Sequence, residues 1–147
     1  LYRLPDDFPG YDTARICTDP YEKVRILEEA LGEEIGDRRF VPYIQLHEFE
    51  TLLFAQPDLL LSEYIGCQKQ VAQLEAMLIP VHYNPELIND RPESSPSKRI
   101  IHLIPGYEGN KVTVGASIAG LIGIEKLKQS CRHFKEWVDH LEHLGEE

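Results

Sequence analysis

Phe40-Val41-Pro42-Tyr43-Ile44-Gln45-Leu46-His47-Glu48-Phe49-Glu50-Thr51-Leu52-Leu53-Phe54 is the stretch on which the fold turns, because a β-like apolar run passes there into an acidic cluster and then resumes with a helical period. Apart from Gln45 and Pro42, residues 40–46 are aromatic, β-branched or aliphatic, which suits a strand buried on both faces. Pro42 cannot donate to a ladder, so firm pairing is expected only beyond it. After His47 the apolar residues Phe49, Leu52 and Leu53 follow at spacings of three and one, a helical stripe. The strand is therefore expected to end near Leu46 and a helix to begin near His47 or Glu48.

His47, Glu48 and Glu50 crowd this junction, and two readings of them stay open. Acidic residues suit the positive end of a helix dipole. The C-terminal edge of a strand in an open α/β sheet is also where ligands and metals are held. On the second reading the carboxylates of Glu48 and Glu50 suit Mg²⁺ or Mn²⁺, and the His47 imidazole suits Mn²⁺ or a water-bridged role.

With 147 residues, 42% of them hydrophobic, the chain has the length and composition of one globular domain with a real core. Its 15 basic and 25 acidic residues give a net charge of −10, which excludes a protein that coats nucleic acid by electrostatics alone. A nuclease that engages its substrate through metal ions remains compatible. Cys17, Cys67 and Cys131 are odd in number, far apart and without a CxxC pair, as in a cytoplasmic protein with reduced thiols. No window approaches the roughly 20 apolar residues that span a bilayer, and the start lacks a signal-peptide layout, so no membrane association is expected. Leu1-Tyr2-Arg3-Leu4-Pro5 reads as the middle of a longer polypeptide. The expectation is a single domain over residues 1–147, truncated at its N-terminus, with a helical C-terminal portion over residues 96–147.

Turn formers fill the opening, where Asp6 and Asp7 read as turn caps or, less simply, as metal ligands. Asp19-Pro20 with Glu22 is a helix start. Val24, Leu27, Ala30 and Leu31 make its apolar stripe, and Gly32 or Gly36 its stop. Gln56-Pro57-Asp58 breaks the helix after Phe54. A short helical piece is expected over residues 59–64 and a longer one over 67–79, with Val71, Leu74, Met77 and Leu78 buried. Within the polar residues 84–99, Asn84-Pro85-Glu86 predicts a capped single turn, and Ser95-Pro96-Ser97 a helix capped by Ser95. Lys98 and Arg99 then oppose that helix's dipole, which suits a surface position or a lysine kept to meet a phosphate or carboxylate.

Residues 107–111 read as a flexible loop carrying Lys111, and residues 113–123 as a small-residue helix packed closely on a neighbour. Neither GxGxxG nor GxxxxGK[ST] occurs. In the last amphipathic helix Trp137 is a packing anchor, and His140 and His143, beside His133, are expected on an exposed face.

An ordered series of motifs resembles a known family. It comprises Leu4-Pro5-Asp6-Asp7-Phe8-Pro9-Gly10, Leu46-His47-Glu48-Phe49-Glu50 with Leu52-Leu53-Phe54, Asn84-Pro85-Glu86 with Ile88-Asn89, and Pro96-Ser97-Lys98-Arg99-Ile100. Pro105-Gly106-Tyr107 with Lys111, Ile122-Gly123-Ile124, and His133-Phe134 with Trp137 complete it. Along essentially its whole length the chain is similar to the bacterial family known as domain of unknown function 4276. The resemblance implies a helix-rich α/β fold: the C-terminal part of a Toprim-like βα domain, with a small sheet and several amphipathic helices. It implies kinship with the nuclease half of overcoming-lysogenisation-defect proteins, and an ATPase as partner. It also implies metal-bearing strands upstream of Leu1, which this chain lacks, so that the chain alone is expected to be inactive.

On that resemblance Glu48, Glu50 and His47 would be metal ligands or their neighbours, with Mg²⁺ or Mn²⁺ as cofactor. Lys98, or Lys111 in second place, would be catalytic, steadying the scissile phosphate of a nucleic acid. Three functions follow as expectations. The first is Mg²⁺-dependent phosphodiester hydrolysis in phage defence. The second is a non-catalytic protein-interaction module partnering an ATPase through the polar residues 84–98. The third is a phosphate-binding protein using Lys98 and Lys111.

Overall fold

The computed structural model describes residues 4–88 and 91–145 and gathers the chain into two compact units, residues 1–46 and 47–147. In the first unit, α1 (Tyr11–Ala14) precedes the longer α2 (Pro20–Ile35). The start of α2 is written locally: Asp19 Oδ1 accepts from Tyr21 N at 2.7 Å and from Glu22 N at 3.2 Å, and Pro20 occupies a first-turn position that needs no amide. Its end is local as well, because Gly36 adopts φ +64° and donates back to the Gly32 carbonyl at 3.0 Å. Val24 and Leu27 of α2 are buried with Ala14 and Leu46.

The expected strand does not form. Among the described residues there is no strand and no sheet, which overturns the α/β assignment and the Toprim-like βα architecture with its small sheet; the amphipathic helices are present, and 68% of the structure is helical. The reason lies in what residues 40–46 meet. Ile44 N donates to the Glu28 carboxylate of α2 at 2.6 Å, not to a neighbouring strand. Pro42 has no amide to offer and lies against Gly32, its Cγ 3.7 Å from where a Cβ would stand. An apolar run records that side chains are to be buried, and a helix face satisfies that demand as well as a second strand does.

The second unit is a succession of short helical pieces. Its 3₁₀ segments are Phe49–Ala55, Pro57–Ser62, Ile79–Val81, Pro85–Leu87, Pro92–Ser94 and Pro105–Asn110. Its α-helices are α3 (Gln68–Ala76), α4 (Pro96–Leu103), α5 (Lys111–Ile122), α6 (Ile124–Ser130) and α7 (Arg132–Glu142). Prolines set the lengths: Pro57, Pro85, Pro92, Pro96 and Pro105 each open a piece, where the missing amide costs nothing, and each pushes the preceding residue out of helical conformation. Leu53, Phe54, Leu60, Leu74, Ile100 and Ile118 form the centre of the core, each no more than 2% exposed. No helix among the described residues is long and apolar enough to cross a membrane.

Residues 107–111, expected as a flexible loop, are instead folded, with Tyr107 fully buried. Helix α5 passes over it at Gly115, where an added Cβ would lie 3.0 Å from the Tyr107 hydroxyl and 3.2 Å from the Phe49 ring. At the other side of α5 a Cβ added to Gly120 would meet no neighbouring element within 4 Å. Trp137 is half-buried on α7, its ring 6.1 Å from that of Phe134.

Helix α6 is pinned to α7 by Lys128, whose Nζ lies 2.8 Å from both Asp139 Oδ1 and Glu142 Oε2, with Lys135 also paired to Asp139. Lys128, then Lys135, hold the Asp139 carboxyl down to about 2.

Two outcomes are expected. Gly115→Ala lowers the thermal midpoint, because crowding of roughly 1–3 kcal/mol exceeds the ~1 kcal/mol gain in helix propensity, whereas Gly120→Ala raises it. Circular dichroism melts of both variants check the pair. Asp139 is depressed below the ~3.9 of an unfolded chain, so its contribution is present above that value and is lost as pH falls toward 2. Asp139→Asn therefore flattens the loss of stability between pH 4 and 2, read from melts at each pH.

Candidate functional site

Three carboxylates inside the second unit organise its polar interior. Glu86 sits on the Pro85–Leu87 turn, which Asn84 caps by accepting from Glu86 N at 3.0 Å. Its side chain is fully buried, and its oxygens accept from His133 N at 3.0 Å and Phe134 N at 3.1 Å, the second and third residues of α7. Helix α7 has no acidic residue in its first turn and no side-chain cap of its own. Its orphan amides and positive end are met by a carboxylate 47 residues earlier in the chain.

The same residue's carbonyl takes a 2.7 Å hydrogen bond from His47 Nε2. A carbonyl only accepts, so Nε2 carries the proton. His47 holds a left-handed backbone, φ +63°, which turns the chain into the first 3₁₀ segment. Cys131, at the N-cap position of α7, is fully buried; burial, reinforced by Glu86, pushes its thiol up to about 12, so it stays protonated.

Glu48 repeats the device at α4. Its Oε2 accepts from Ser97 N, the second residue of the helix, at 2.8 Å across 49 residues of sequence. Ser95 occupies the expected N-cap position, yet its side chain makes no capping bond. The buried Glu48 carboxylate thus meets the Ser97 amide, while Lys98 keeps the surface position that was one of its two expected places. Arg99 is half-buried and donates to the Ser94 carbonyl at 2.7 Å and the Ile88 carbonyl at 3.2 Å, with burial lowering its pKa. Glu50, 9% exposed, accepts from the Tyr107 hydroxyl at 3.3 Å. Burial first, and then Glu50, raise the pKa of that phenol.

His47, Glu48 and Glu50 thus stand at one end of a single 3₁₀ segment, each with a different partner. Lys98 is exposed one residue beyond the amide that Glu48 holds, and Lys111 opens α5 half-buried. Among the described residues neither lysine meets a carboxylate. Asp6 and Asp7 are exposed in the first unit. His140 on α7 and His143 just beyond its end are exposed as expected, His143 Nδ1 lying 2.6 Å from the Asp139 carbonyl, while His133, expected with them, is buried. Among the described residues no group of three or more His, Cys, Asp or Glu side chains could hold a metal ion.

Glu86 and Tyr107 were not singled out from sequence as functional positions. The available signal was indirect: α4 and α7 both carry basic residues in their first turn and no acidic one, which calls for an anion from elsewhere in the fold.

Removal of either distant cap should destabilise the second unit. Glu86→Ala leaves two amides unmatched in the interior and is expected to cost about 3 kcal/mol, and Glu48→Ala about 2 kcal/mol. Exposed Glu93→Ala, on the 3₁₀ turn Pro92–Ser94, should stay within about 0.5 kcal/mol. Urea unfolding of the three variants measures this.

No curated protein and no solved structure matches the chain. The family model described as Domain of unknown function (DUF4276) matches residues 2–142, and the chain belongs to that family.

Proposed function

We propose that the second unit is a non-catalytic helical interaction module that partners an ATPase in the cytoplasm. One observation carries the reading: Glu48, Glu50 and His47, the residues best suited to metal chemistry, are each committed inside the fold, to a helix amide, a phenol and a carbonyl. The segment first expected to face a partner, residues 84–98, is divided in the structure. Pro85, Glu86, Ile88, Ser95, Pro96 and Ser97 are buried, whereas Leu87, Arg91, Pro92, Glu93 and Lys98 are exposed and on this reading would meet the partner. The free thiols of Cys17, Cys67 and Cys131 support the cytoplasmic setting.

A second reading, Mg²⁺- or Mn²⁺-dependent phosphodiester hydrolysis of nucleic acid in phage defence, is favoured by Lys98. It is exposed and without a carboxylate partner among the described residues, next to the amide that holds Glu48. In that reading Glu48, Glu50 and His47 hold the metal, and Lys98, with Lys111 as the second choice, meets the phosphate.

Calorimetric titration of the full-length protein with Mg²⁺ and Mn²⁺, beside Glu48→Gln and Glu50→Gln, separates the two. The module predicts no saturable heat for any form and no cleavage of DNA or RNA. Saturable binding abolished by either substitution, with cleavage lost in Lys98→Ala, would overturn it in favour of hydrolysis.

A further inference from the structure

We draw no further inference here: the strongest candidate, the exposed and uncharged face of α5 that carries Val112, Ala116, Gly120 and Leu121, is a stripe of mostly small residues, and nothing in the structure shows what covers it.

Discussion

A carboxylate inside a protein and the first amides of a helix pose complementary problems. An ionised carboxylate taken out of water loses several kcal/mol of solvation unless donors surround it. The opening amides of a helix have no acceptor within the helix and carry its partial positive charge. The second unit brings the two together twice, with Glu48 on α4 and Glu86 on α7. Most other polar contacts of the interior follow from these placements. Glu86 must be held by Asn84 to face α7, His47 must turn left-handed to reach the Glu86 carbonyl, and Glu50 follows Glu48 inward to meet Tyr107.

This arrangement suits a chain assembled from short pieces. Proline at the start of so many segments keeps each one brief, and brief helices have little stability of their own. Caps supplied from 47 and 49 residues away fix the positions of α7 and α4 relative to the 3₁₀ segments that carry the glutamates. Close approach at Gly115 and the Lys128 clamp between α6 and α7 add local contacts to that frame.

Local signals in the sequence were readable because their physics is local. Asp19-Pro20 and Gly36 delimit α2, Asn84-Pro85 caps a turn, and Pro96 opens α4, all within a few residues of the groups that they satisfy. The apolar residues 40–46 were misleading because hydrophobicity does not say which surface does the burying; Glu28 and Gly32 of a helix stand where a strand was expected. Ser95 had the right type and position for a cap, but the competing acceptor was Glu48, at a separation that no local window spans. Acidic residues crowded at a junction point equally to a metal and to helix amides, and only their partners distinguish the two. Those partners are a backbone amide for Glu48 and a phenol for Glu50.

Amide hydrogen exchange followed residue by residue, in the unaltered chain, Glu86→Gln and Glu48→Gln, tests the capping account most directly. It predicts slow exchange at Ser97, His133 and Phe134 in the unaltered chain. Faster exchange should follow at His133 and Phe134 in Glu86→Gln alone, and at Ser97 in Glu48→Gln alone. Fast exchange at all three amides in the unaltered chain, or no selective change in either variant, would contradict it.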